Sequence, residues 1–157
     1  MVNDRKITDK KSVRTNSKSK FVRIGLMLSM ESGFFRGVML GVRKYAISRP
    51  NWIILPAPPE TRRVTEIQTM DVKGVIAAIT STQLAIKFTD LKLPVVDVAA
   101  DVPGLLLPQV SVDSQEAGRV AARHFLDCGL MHFGFYGPPR LEHSIQREAG
   151  FRKTIEA

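Results

Sequence analysis

Arg147 is the residue of this sequence whose type and setting most suggest chemistry. It lies in Ser144-x-x-Arg147-x-x-Gly150-Phe151, a pattern that opens a helix. A guanidinium presents a rigid fork of donors suited to paired oxygen acceptors. On a solvated helix face the same side chain would instead pair with Glu148 or Glu142. Arg36 stands at the first strand-to-helix connection, where it can reach water. Asp113 occupies an N-cap position with Glu116 three residues on, a capping-box-like start whose carboxylates satisfy first-turn N–H groups. Capping is the role its position indicates. Asp97 and Asp101 flank a strand end, where an α/β sheet puts its ligand crevice. Acids beside a loop are, however, more often solvated or capping.

Other chemistries are missing from the pattern. The first strand is not followed by G-x-G-x-x-G, since Ser29–Gly33 holds a single glycine, so a dinucleotide site is not expected. Neither a Walker A sequence nor a G-x-S-x-G elbow occurs. His124, His132 and His143 lack metal-ligand spacing with each other or with Cys128. His124 is expected to be half-buried on its helix and His132 to sit at a strand edge. Cys128, the single cysteine, falls on an apolar helix face and reads as a small buried hydrophobe. No catalytic residue, metal or cofactor is expected, and the chain is not read as an enzyme.

The elements that must position these residues alternate. Phe21–Leu28 is an apolar run suited to a strand buried on both faces, as in parallel sheets. Gly33–Ser48 is helical, with Phe34, Val38, Gly41, Val42 and Tyr45 sharing a face. Pro50-Asn51 breaks it, and Trp52–Leu55 is a second strand. A proline-rich connection leads to a helix from about Glu60 to Met70. Gly74–Ile79 is the third strand, Ser81 or Thr82 caps a helix through Phe88, and Pro94–Val98 is the fourth strand. Another strand is expected near Val110. In the helix after Asp113, the inward face is expected to be Ala117, Val120, Ala121, His124, Phe125 and Cys128, with Gly129 as a C′ stop. A short strand is expected over Phe133–Tyr136. The regular spacing describes an α/β fold, a doubly wound parallel sheet.

At 157 residues one domain is the natural size, with enough chain for a real core. The net charge of +8 belongs mostly to one segment: residues 1–20 carry seven Lys and Arg against two Asp, a net +5. That segment is almost without apolar residues and is expected to be a disordered basic tail, solubilising or able to touch phosphates. No apolar run approaches the roughly 20 residues of a membrane span, and the basic start is not followed by a secretory h-region. A cytoplasmic protein is expected, without a membrane partner.

Phe35-Arg36-Gly37-x-x-x-Gly41-Val42-x-x-Tyr45, followed by Trp52, resembles the first helix and second strand of the sugar-sensing domain of AraC-type xylose-operon regulators. Those regulators join a domain like those of LacI and the type 1 periplasmic-binding proteins to a DNA-binding domain. Val110-Ser111-Val112-Asp113, Gly118-Arg119-x-Ala121-Ala122-x-His124-Phe125, Gly129 and His132–Gly137 are similar to the start of that family's second lobe. Ser144-x-x-Arg147-x-x-Gly150-Phe151 is similar to its next landmark. The resemblance runs through residues 21–157 in unbroken order.

It implies a periplasmic-binding-protein-like fold with a first lobe over residues 21–109. Residues 110–157 would be the interlobe crossing and an incomplete second lobe. It further implies a sugar-responsive transcriptional regulator that binds a pentose such as xylose between its lobes. The implied ligand contacts are Arg147, Arg36, Asp113 and Phe35, with Phe34 or Phe35 stacking on a sugar face or serving the core. DNA would be reached through a domain outside this chain, as a homodimer in the full-length form. Family members continue well past Ala157, so exposed apolar surface and association are expected. A small flavodoxin-like enzyme or nucleotide-binding module, holding phosphate at Ser29–Gly33, is the alternative reading.

Overall fold

A computed structural model describes residues 21–157; the expectation for the basic tail lies outside them. Four parallel strands form one sheet: β1 (Val22–Met27), β2 (Trp52–Ala57), β3 (Gly74–Ala77) and β4 (Val95–Asp97), in the order β2-β1-β3-β4. The register sets Val22 beside Trp52, Ile24 beside Gly74 and Val75 beside Val95. β2 is an edge strand, which is where Pro56, without an N–H to donate, can be tolerated.

Helices cover both faces, as a doubly wound sheet requires. On one side α1 (Gly33–Ile47) lays Phe35, Val38, Met39 and Val42 over Leu26, Leu28, Ala78 and Val98. Phe34 and Tyr45, expected to share the inward face, are exposed instead, and Tyr45 packs edge-on against Trp52 with ring centroids 5.4 Å apart. On the other side α2 (Thr61–Ile67) and α3 (Thr82–Thr89) bury Val64, Ile67, Leu84 and Phe88 against Met27, Val75 and Ala77. Phe88 is fully buried, which is worth roughly 1.5–3 kcal/mol in water exclusion. The helix expected over Glu60–Met70 ends its α-helical part at Ile67, and a single 3-10 turn then runs to Asp71, whose φ is 48°. Ser81 caps α3 by accepting the Leu84 N–H at 3.3 Å.

Beyond β4 the chain departs from expectation. The strand expected near Val110 is reduced to one parallel bridge, Gln109 with Asp97. Residues 130–138 contain no strand, although one was expected over Phe133–Tyr136. Strands persist only where a neighbour takes their N–H and C=O groups, and no described segment lies alongside these residues as a partner. Phe133 instead joins Phe125 and Phe151 in an aromatic cluster with centroid separations of 5.7–6.5 Å.

The remaining helices, α4 (Ser114–Asp127) and α5 (Glu142–Ile155), pack on each other. Their contact is made at glycine. A Cβ on Gly118 would strike the Arg147 carbonyl, and one on Gly150 would strike the Gln115 carbonyl. The buried face of α4 is consequently Ser114, Gly118 and Ala122. This corrects the expected face: Val120 is 54% and Phe125 39% exposed, and His124 and Cys128 are exposed too. His132 is likewise exposed, at no strand edge. Asp113 does cap α4, accepting the Glu116 N–H at 2.9 Å. Gly129 ends it with φ 75°, its N–H bonding Leu126 O while the Leu130 N–H bonds Phe125 O, a Schellman stop.

Candidate ligand-binding site

A cavity of about 900 Å³ lies outside the carboxyl ends of β1, β3 and β4. That is where open α/β sheets bind ligands, because connections diverge there and leave a crevice. One wall comes from the loops of the sheet: Ser32, Phe34 and Phe35 after β1, Thr80 after β3, and Ala99–Gly104 after β4. The other comes from the starts of α4 and α5: Ser111, Val112 and Ser114, then Leu141–His143, Gln146 and Arg147. The lining mixes aromatic and small apolar groups with a few convergent polar ones.

Asp97 sets the sheet-side wall. Its carboxylate is fully buried and accepts from the N–H groups of Ile79 (3.1 Å), Ala99 (2.9 Å) and Ala100 (3.0 Å) and from Gln109 Nε2 (3.1 Å). A buried carboxylate is tolerable only with such a shell. Asp97 thus organises the loop: of the two roles expected of an acid there, solvated or capping, it takes the capping one. It also holds Ala100 at φ 53°, a left-handed conformation that costs a non-glycine residue roughly 1–2 kcal/mol. Four residues on, Asp101 faces His143 on α5, with its Oδ1 2.7 Å from Nδ1.

The opposite wall is set by the α4–α5 contact. With Gly118 and Gly150 against the facing backbones, Ser144 is buried near the start of α5 and Arg147 falls three residues later beside the cavity. Arg147 is exposed, yet the ion pairs expected on a solvated face do not form. Glu142 accepts from Gln146 and Glu148 from Arg152, both at 2.9 Å. The Arg147 guanidinium has no hydrogen bond or ion pair among the described residues.

The other expected contacts divide. Phe35 lines the cavity and also packs on the core, with Phe34 edge-on at 5.3 Å. Arg36 is not part of the lining; its Nη1 donates to the Met30 and Glu31 carbonyls at 2.8 and 2.9 Å. Asp113 is occupied as the α4 cap and lies outside the lining, although Val112 and Ser114 on either side belong to it. Sequence reasoning placed Asp101 at the strand end beside the crevice without assigning it to a ligand, and it missed His143 and Gln146. Their signal was present, since each directly precedes a landmark, Ser144 or Arg147. Among the described residues no group of three or more His, Cys, Asp or Glu is placed to hold a metal ion.

Solved structures share this architecture. Transcription regulator CcpA of Lactococcus lactis superimposes with a TM-score of 0.76 at 17% identity, over 87% of this chain and 54% of that one. The fold is periplasmic-binding-protein-like, type 1. An ABC transporter solute-binding protein from Mycobacterium smegmatis, solved with bound glycerol, matches the same periplasmic-binding-protein-like fold with a TM-score of 0.70. It is 14% identical over 87% of this chain and 52% of that one. A candidate ribose operon repressor from Burkholderia thailandensis matches with a TM-score of 0.71 and 25% identity, over 85% of this chain and 55% of that one. The chain therefore spans about half the length of the solved structures it matches. No protein-family model and no curated protein matches it.

Proposed function

We propose that this chain is the effector-binding portion of a sugar-responsive transcriptional regulator, and that its cavity takes a pentose, xylose being the first to test. The observation carrying this is the Arg147 guanidinium, without a protein partner, on the wall of a crevice at the carboxyl ends of a type 1 sheet. Its fork of donors suits adjacent hydroxyl oxygens, and Phe35 offers the apolar face that sugar C–H groups need. Residues 21–109 would form the first lobe, and residues 110–157 the crossing and the beginning of the second. Arg36 would act by shaping the loop after β1, and Asp113 by fixing the start of α4. A ligand that binds the closed arrangement better shifts the equilibrium toward it, and a DNA-binding domain outside this chain would read that shift as part of a homodimer in the cytoplasm.

Titration calorimetry of the full chain with pentoses and hexoses tests the reading. Binding is expected, and Arg147→Ala should weaken it about 10- to 100-fold, the worth of one or two charge-assisted hydrogen bonds. No binding at millimolar sugar overturns the ligand class, whereas unchanged affinity in Arg147→Ala overturns the assignment of Arg147. The phosphate-binding alternative is not favoured. Two carbonyls of the Ser29–Gly33 loop face Arg36, and the lone glycine leaves no N–H nest for an anion.

A further inference from the structure

The two walls of the cavity are joined by a side-chain contact, His143 with Asp101. His143 Nδ1 lies 2.7 Å from Asp101 Oδ1, across 42 residues of sequence. The Asp101 side chain is only 6% exposed and that of His143 33%. Both are held from behind. Asp97 fixes the loop that carries Asp101 through Ala99 and Ala100. The glycine contact of α4 with α5 fixes the turn that carries His143. Asp101 Oδ2 takes no hydrogen bond from the protein among the described residues.

A nearly buried carboxylate with a vacant oxygen on a cavity wall demands a donor from whatever fills the cavity, because leaving it bare costs desolvation. Ionised, it can only accept. A hydroxyl supplies that donor. A phosphate or carboxylate brings only acceptors and negative charge, which Asp101 repels at short range. We propose that Asp101 is a ligand-contacting residue, positioned by His143, that selects a neutral polyhydroxy ligand over its phosphate ester. This rests on the cavity being the ligand site.

The test is calorimetry of the full chain with D-xylose, D-ribose and D-ribose 5-phosphate. The pentose should bind at least about tenfold more tightly than the phosphate ester. Asp101→Asn should weaken pentose binding about 10- to 100-fold and narrow the gap to the ester. His143→Ala should lower pentose affinity about tenfold at an unchanged melting temperature, while His143→Asn, which keeps a donor near Nδ1, should stay close to wild type. Wild-type pentose binding together with unchanged affinity in Asp101→Asn, or with equal affinity for the ester, overturns the role of Asp101 and leaves the cavity reading intact. Absence of pentose binding by the wild type overturns both. If Asp101→Asn does not fold, wild-type affinity in His143→Ala overturns the proposal by itself.

Discussion

Placing an alanine at Gly150 tests how the cavity's second wall is built. In an exposed helix interior, glycine to alanine is stabilising by about 1 kcal/mol, because alanine loses less backbone freedom on folding. At Gly150 the new Cβ would meet the Gln115 carbonyl, and at Gly118 the facing backbone is equally close. A backbone oxygen cannot turn aside as a side chain can, so α4 and α5 must separate. Overpacking costs about 1–3 kcal/mol, and a rigid obstacle belongs at the upper end. Subtracting the propensity gain from a cost of about 3 leaves a net loss of about 2 kcal/mol. At 2–4 °C per kcal/mol for a chain of this size, the expected fall in Tm is roughly 4–8 °C. Gly37 on α1 supplies the control. It is exposed, a Cβ there meets nothing within 4 Å, and Gly37→Ala should be stabilising. Thermal unfolding followed by circular dichroism at 222 nm, a wavelength common to helical proteins, reads both. A Gly150→Ala protein melting at or above wild type would refute the glycine contact, and with it the account of how Arg147 is positioned.

Asp97→Ala should be severe. It strands the N–H groups of Ile79, Ala99 and Ala100 in a buried site, and a loss of about 3–5 kcal/mol is expected in urea unfolding. Ala100→Gly should raise stability by roughly 0.5–1 kcal/mol, since glycine adopts the positive φ without strain, as the same urea midpoint will show. Asp71 carries a pH dependence. Lys73, through its hydrogen bond and charge, and then Arg23 hold this carboxyl below its ordinary value of 3.8. A depressed folded-state pKa contributes stability above that ordinary value, and the contribution is lost as pH falls through the folded-state value. Asp71→Asn should therefore melt below wild type at neutral pH, the two curves converging as pH drops under 3.8. Because these groups are exposed, added salt should shrink the difference too.

The Asp113 cap, the Ser81 cap and the Gly129 stop were legible in the sequence, and the structure forms all three. The four sheet strands were equally legible, because each is a short apolar run bounded by turn residues. Periodicity failed on α4, where Val120, Ala121 and Cys128 marked the wrong face. An apolar stripe announces that a helix has something to bury and does not say whether the partner is present. The contact α4 makes with α5 uses Gly118 and Gly150, residues that carry no hydrophobic signal. The Phe133–Tyr136 alternation met the same limit, since a strand needs a neighbour as well as a pattern.

By itself the sequence determined the order of elements, the parallel α/β class and the caps, since these follow from local propensity and from patterns that repeat within a few residues. Tertiary structure alone decided which polar groups meet. Asp97 became buried because four donors converge on it from residues 79 to 109. Arg147 is left without a protein partner among the described residues, while Gln146 and Arg152 bond Glu142 and Glu148. Asp101 reached His143 across 42 residues, a distance over which no local pattern carries information.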